Sequence, residues 1–310
     1  MLFRIHAAIL AALSSVAPPA QAPSARPAIT GISHIAIYTS DPVATEHYYR
    51  DIVGAARSSD PENPKGVDYS LSPTQFIEVL RLPPGSGINR LDHIAFNTGD
   101  ANGMRAYLAN SGWKTPQSVI REFDGTLWFE VLDPEGNRVE FVQPGGSLKR
   151  SVNAPTAIGR HIIHLGILVH SREAEDKFYK DLLGFKPYWF GGMKEGKLDW
   201  VSQQVPDGHD WLEYMLAPGP GAGVPSEMTL NQLGVLDHVS IGETSVLDAY
   251  KVLEAGNRLG GRHDSAPKIG RDGKYQFNLY DPDGIRLELM DFHATSNPCC
   301  SPFTSEDPSD

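Results

Sequence analysis

Histidine and glutamate recur at matched places along this chain. His34, His93, His164 and His238 each stand near the start of an apolar segment, and Glu78, Glu140, Glu213 and Glu288 each stand near the end of one. Imidazole nitrogens and carboxylate oxygens are the donors that bind Zn, Ni, Fe, Mn or Co, and two of each leave positions open for water or substrate. A carboxylate set among residues that bury themselves is costly unless a cation relieves it. The plainer alternative is that each glutamate pairs with a nearby arginine, Arg138 or Arg286, on a sheet surface while each histidine caps a strand. Repetition of the His/Glu pair at four places favours a divalent metal.

These donors are far apart in sequence, so the fold must gather them. Four copies of one unit do so. ISHIAIYTSDPVATEHYYRDIVG (Ile32–Gly54) and IHLGILVHSREAEDKFYKDLLG (Ile163–Gly184) both read as strand, turn, helix and glycine stop. LDHIAFNTGD and LDHVSIGETS open two more units, with helices stopped at Gly112 and Gly256. The offset from histidine to glycine is 18 to 20 residues in all four. Asp41-Pro42 and Ser171 supply helix starts, and glycine supplies the left-handed stop. Sequences suited to three strands follow each helix. In two units the last pair turns at Asp-Pro-x-Gly, in DPEGNRVEFV and DPDGIRLELM. The pattern predicts an α+β chain of four βαβββ modules. Residues two apart in a strand share a face. Ile32, His34, Ala36 and Tyr38 are therefore expected on one side, with Ser33, Ile35 and Ile37 on the other.

The chain has 310 residues and a formal net charge of −11, which argues against a nucleic-acid partner. Residues 1–22 read as a signal peptide, with the apolar run Ala7–Ala17 before Ala20-Gln21-Ala22, so the mature protein is expected to be exported and to have no membrane span. A linker at 23–28 precedes a first domain at 29–143. The Gly/Pro/Ser-rich stretch 144–160 separates it from a second at 161–293, and 294–310 reads as a flexible polar tail. Cys299 and Cys300 are the two cysteines, adjacent within that tail, so no disulfide framework is expected. Ala217–Gly234 reads as a loop. His263, in the charged segment Arg262–Gly273, is a further site candidate, with Arg262, Lys268 and Arg271 as contacts for an anionic substrate.

The modules, the first-strand histidines and the final-strand glutamates in FIEVL, DPEGNRVEF, WLEYM and DPDGIRLEL together resemble the vicinal oxygen chelate superfamily. That family includes glyoxalase I, methylmalonyl-CoA epimerase, fosfomycin- and bleomycin-resistance proteins and extradiol dioxygenases. The resemblance implies two curled-sheet domains, each pairing two modules around one metal. The first would use His34, Glu78, His93 and Glu140, and the second His164, Glu213, His238 and Glu288. It also implies a small substrate with vicinal oxygens and glyoxalase-like lyase or isomerase chemistry, with Glu140 or Glu288 as general base. The alternatives it carries are ring cleavage at the C-terminal site, assisted by His263, and small-molecule binding without turnover, as in bleomycin-resistance proteins. Tyr38 and Leu168 stand where bacterial glyoxalases carry an arginine, and Asn278 stands where extradiol dioxygenases carry a tyrosine.

Overall fold

Alternating apolar residues make each module's strands one-sided, and the buried side decides how the modules assemble. The computed structural model describes residues 25–145, 152–217, 219 and 221–309. The expected signal peptide and the middle of the 144–160 linker lie outside them. In the first half the strands are β1 (Ile29–Thr39), β2 (Ala56–Ser59), β3 (Val67–Ser70), β4 (Phe76–Arg81), β5 (Leu91–Thr98), β6 (Ile120–Arg121), β7 (Leu127–Leu132) and β8 (Arg138–Gln143). In the second they are β9 (His161–Val169), β10 (Lys186–Gly191), β11 (Trp200–Gln204), β12 (Trp211–Leu216), β13 (His238–Glu243), β14 (Lys268–Ile269), β15 (Tyr275–Tyr280) and β16 (Arg286–Asp291).

Each half forms one eight-stranded sheet, ordered β2-β3-β4-β1-β5-β8-β7-β6 and β10-β11-β12-β9-β13-β16-β15-β14. The first and last strands of every module pair in parallel. The two modules of a half join through antiparallel β1/β5 and β9/β13. This order sets the histidine strands side by side at the centre and the glutamate strands immediately outside them. The architecture is therefore the α+β arrangement of four modules that the sequence pattern predicts, in the two curled sheets that the resemblance implies.

The helices follow the signals read above. Asp41 accepts from Val43 and Ala44 amides to start α1 (Pro42–Glu46), and Ser171 accepts from Ala174 to start α3 (Arg172–Asp176), with α2 (Ala101–Asn110) between them. Both α1 and α3 run on into a π-helical turn and end at Gly54 (φ 82°) and Gly184 (φ 79°), backbone that a side chain would strain. The helices and the inner faces of both sheets share one hydrophobic cluster, in which Trp113 packs on Phe178 at 4.7 Å and Phe96 on Phe185 at 5.3 Å. Each fully buried Ile or Leu there stabilises by roughly 1.5–3 kcal/mol. The Asp-Pro-x-Gly turns link the halves reciprocally: Tyr179 Oη donates to Asp133 and Tyr49 Oη to Asp281, both at 3.2 Å.

Three local expectations need correction. Register shifts between Ile32 and His34, and between Ala36 and Ile37, let Ile32 join Ile35 and Ile37 in the core while His34 keeps the opposite face. Within the Gly/Pro-rich link, Thr229 and Gln232 form a reciprocal capping box that starts α4 (Leu230–Leu236), and α5 (Val246–Ala255) then follows β13. The segment taken as a flexible tail is docked. Phe303 packs on Tyr188 at 4.9 Å, Asp307 binds buried Lys274 at 2.8 Å, and Cys299 and Cys300 are joined in a disulfide. Burial of an ammonium requires a partner, and Asp307 provides it. Among the described residues no helix is long and apolar enough to cross a membrane.

Candidate functional site

The strand register decides which donors meet. In the first sheet Glu78 on β4 lies opposite Ala36 on β1, Ala36 opposite His93 on β5, and Ala95 opposite Glu140 on β8. Small residues on the central strands leave room for the imidazoles. His34 Nε2 and His93 Nε2 lie 2.9 Å apart. Glu78 Oε2 is 3.8 Å from His34 Nε2 and 3.5 Å from His93 Nε2, and Glu140 Oε2 is 3.5 Å from His93 Nε2. Bonds of about 2.0–2.2 Å to one ion place neighbouring donors roughly 3–3.6 Å apart. His34, Glu78 and His93 thus offer donor atoms within 4.8 Å of one another, with Glu140 beside His93.

The second sheet repeats the arrangement. His164 Nε2 and His238 Nε2 lie 3.0 Å apart, Glu288 Oε2 is 3.2 Å from His164 Nε2, and Glu213 Oε2 is 3.6 Å from His238 Nε2. Gly166 faces His238 so closely that an added Cβ would stand 1.9 Å from the ring, so glycine is required there.

Outer groups orient the rings differently in the two cups. Asp92, which can only accept, takes the Nδ1 proton of His93 at 2.9 Å and turns Nε2 toward His34. Tyr38 and Arg138 (2.7 Å) hold Asp92 in turn. In the second cup His238 Nδ1 donates to the Leu236 carbonyl at 2.8 Å, while Asp237 accepts from the Leu168 amide. The free Nε2 of His238 then accepts from Arg286 Nη2 at 2.9 Å.

The surroundings of the carboxylates differ as well. Glu140 is fully buried, and neither of its oxygens has a hydrogen-bond partner. Burial, then Glu62 and Glu78, push its carboxyl well above the usual range. Burial and neighbouring Asp60 raise Glu78 in the same direction. In the second cup burial and Glu288 push Glu213 up to about 8. Glu288 is lowered: burial opposes its charge, but Arg286 and His164 outweigh it. Burial and then Arg286 hold His238 well below the ordinary imidazole range. Orphaned carboxylate oxygens facing paired imidazole nitrogens fit a divalent cation in the first cup, and the donor set and spacing fit one in the second.

A cavity of about 610 Å³ opens onto the second cup, lined by Glu213, Arg286 and Glu288 and walled by Tyr188, Trp200 and Trp211. Lys268 and Arg271 reach it as expected. Arg262 instead stacks on Tyr280 at 3.7 Å. His263 is not brought to the cup. It is exposed, bonds the Asp264 carbonyl, and lies 6.1 Å from the core ring of Phe277, on the side of β15 away from the cavity. The sequence reading also missed Glu62, Asp68 and Glu130 around the first cup, and Arg286, read there as a surface partner of a glutamate, pairs with Glu288 at 3.6 Å inside the second. Strand pairing had a signal for two of them, since Asp68 lies opposite Glu78 and Glu130 opposite Glu140.

Several solved structures share this fold. A Mn(II)-bound glyoxalase from Novosphingobium aromaticivorans aligns at TM-score 0.62 and 20% identity, over 86% of this chain and 83% of that one. The 2,3-dioxygenase LapB from Pseudomonas sp. KL28 aligns at 0.63 and 16%, over 90% and 97%. A catechol 2,3-dioxygenase aligns at 0.60 and 18%, over 88% and 96%. Among curated proteins none matches this chain. The family pattern described as Glyoxalase/Bleomycin resistance protein/Dioxygenase superfamily matches residues 31–141 and 161–289, covering both sheets. With its four modules, its paired sheets and that match along most of its length, the chain belongs to the Glyoxalase/Bleomycin resistance protein/Dioxygenase superfamily.

Proposed function

We infer that the second half is a divalent-metal-dependent enzyme centre acting on a small molecule with two neighbouring oxygens, through proton transfer of the lyase or isomerase kind. The observation that carries this reading is the cavity of about 610 Å³, which reaches both Glu213 and Glu288. His164, His238 and Glu288, whose donor atoms lie within 4.8 Å of one another, would hold the ion. When bound, it supplies Lewis-acid stabilisation of an oxyanion on the substrate.

The chain's own residues divide the remaining work. Glu288, held between His164 at 3.2 Å and Arg286 at 3.6 Å, would serve as a ligand, a different role from the general base that the resemblance implied. Glu213, whose side chain is 14% exposed, faces the cavity and is placed to take a proton from the carbon beside the substrate oxygens and to return it. Lys268, Arg271 and Arg286 favour an anionic or enolised substrate, and Trp200 and Trp211 offer it apolar walls.

A second reading, ring cleavage by a dioxygenase, draws on the tight grouping of two histidines with one carboxylate, a set known from non-haem Fe(II) oxygenases. Two of the neighbours by fold are 2,3-dioxygenases. Asn278, directly opposite Glu288 in the sheet, stands where the resemblance puts a tyrosine and weighs against it. The test is a panel of catechols, α-hydroxyketones and thiol adducts of 2-oxoaldehydes, assayed with metal-reconstituted protein in air and under nitrogen. Turnover that persists without oxygen and is lost in Glu213→Gln is expected. Oxygen uptake with a catechol would replace the first reading with the second, and turnover unchanged in His238→Ala would sink both. Export remains part of this proposal, supported by the apolar run Ala7–Ala17 before Ala20-Gln21-Ala22 and by the Cys299–Cys300 disulfide, since disulfides persist in oxidising compartments.

A further inference from the structure

The segment that follows β16 crosses back to the second cup. Residues 297–309 cover β10, which is the edge strand of its sheet and leaves backbone groups to be satisfied. The Phe190 amide donates to Ser301 Oγ at 2.9 Å, the Thr304 amide to the Tyr188 carbonyl at 3.0 Å, and Trp189 Nε1 to the Cys299 carbonyl at 3.2 Å. Phe303 then lines the cavity beside Tyr188 and Trp211. The buried Lys274 ammonium lies 5.0 Å from the centre of the Phe303 ring and 5.3 Å from that of Trp211, and Asp307 pairs with it at 2.8 Å. This strap is therefore a wall of the cavity.

A covalent bond sits where the strap begins. The Cys299–Cys300 disulfide joins chain neighbours, so it closes no long loop and adds little of the stability that loop closure gives. Its effect is local. Cys300 stands at φ 74°, left-handed backbone that a residue with a side chain rarely adopts, and the ring through the two sulfurs holds it there. The Cys299 amide donates to the Arg271 carbonyl at 2.8 Å, and Arg271 Nη2 donates to Cys300 Sγ at 3.9 Å. Arg271 lines the same cavity, so the bridge bears both on a cation of the site and on the path of Phe303. Cys299 packs half-buried against the aromatic wall, whereas Cys300 is exposed to a thiolate from solvent. We propose that residues 297–309 are a redox-latched wall of the second cavity, in which the Cys299–Cys300 disulfide holds Phe303 and Arg271 in place and its reduction by a dithiol frees the strap. One thiolate of the dithiol bonds Cys300 Sγ and displaces Cys299 as a thiolate, which takes a proton. The second then attacks the dithiol sulfur bound to Cys300, closing the dithiol's own disulfide and releasing Cys300, which takes another proton. Two electrons and two protons thus pass to the chain. Without the ring Cys300 is free to leave its left-handed backbone, and residues 301–307 lose the turn that aims them. What an opened wall would admit rests on the metal-centre reading of the second cup, whereas the latch itself does not.

Amide hydrogen exchange on the full-length chain reads the latch without any substrate. The oxidised protein is compared with protein held in dithiothreitol under nitrogen and with Cys299→Ser/Cys300→Ser. The amides of Phe190 and Thr304 are expected to exchange at least about ten-fold faster in the reduced protein and in the variant, with residues 29–143 unchanged. Reoxidation of the reduced protein should restore the slow rates. Equal rates at Phe190 and Thr304 in all three proteins would overturn the latch, and so would acceleration spread evenly over both halves, which would make the bridge a source of general stability. Assay of the same three proteins on the substrate panel separates this proposal from the reading it rests on. Faster strap exchange with no turnover in any of them keeps the latch and removes the metal-centre reading, whereas turnover with unchanged strap exchange removes the latch and keeps the centre.

Discussion

Opposite its last-strand glutamate the first half carries Glu130, where the second half carries Asn278. Opposite its other glutamate the first half carries Asp68, where the second carries Ser202. The arginine two residues before that last glutamate turns outward in one half, Arg138 on Asp92, and inward in the other, Arg286 on His238. Both halves share one strand order and one donor set, so these flanking residues account for the contrast. Carboxylates packed beside the candidate ligands crowd one cup with acidic groups. Neutral neighbours and an inward guanidinium make a cup that tolerates an open mouth and a charged visitor. The frame fixes where the donors meet, and the flanks decide whether anything else can reach them.

The comparison can be broken most severely at the ligands. Glu288→Ala should lower turnover by about 10³-fold or more, equivalent to roughly 4 kcal/mol of lost transition-state stabilisation, with little change in thermal midpoint. Glu140→Ala should do the reverse, changing turnover less than about tenfold while destabilising the chain. Equal losses of activity in the two variants would erase the distinction between the cups.

Chelation gives the next largest effect. An ion held at about a thousand times its dissociation constant contributes about 4 kcal/mol, and its removal should lower the midpoint by roughly 10 °C. Differential scanning calorimetry before and after stripping measures this, and the fall should be absent in Glu140→Ala.

The guanidinium contrast predicts a smaller shift. Arg286 lies against His238 Nε2, the nitrogen proposed to face an ion, so Arg286→Gln should tighten Zn(II) binding in the second cup by about tenfold through loss of a repelling charge. Arg138→Gln should not tighten the first, because Arg138 acts on Asp92 rather than on His93. Competition with a chromophoric chelator reads both.

Glu175 supplies a control, being a buried carboxylate outside either cup. Burial and then Asp133 push it up to about 9. A carboxyl whose pKa is raised by folding stabilises fully below its unfolded value and loses that contribution as pH rises through the folded one. Glu175→Gln should therefore raise stability near pH 8.5 and change it by almost nothing near pH 4. Metal should not alter this difference, whereas it should abolish any pH dependence arising from the first cup.

Much of this was legible from side-chain types alone. Histidine at the start of one strand and glutamate at the end of another, repeated with glycine stops in register, specified the modules and brought His34, Glu78 and His93, and His164, His238 and Glu288, into two close groups, because a module pairs its first and last strands in parallel. Three things were hidden for physical reasons. The bulge that returns Ile32 to the core breaks the two-residue period on which face assignment rests. The helix Leu230–Leu236 starts from a capping box, Thr229 and Gln232, that the surrounding glycines and prolines masked. The docking of Phe303 and Asp307 depends on Tyr188 and Lys274, long-range partners that no local pattern reveals. Glu62 belongs with these, since its loop has no period at all, whereas Asp68 and Glu130 needed only the strand register.

Metal content per chain is the most direct measurement, taken on untagged protein for wild type, His93→Ala/Glu140→Ala and His238→Ala/Glu288→Ala. Two cups that each gather their own donors predict two ions in the wild type and one in each double variant. The same content in all three proteins would contradict the placement of metal in both cups.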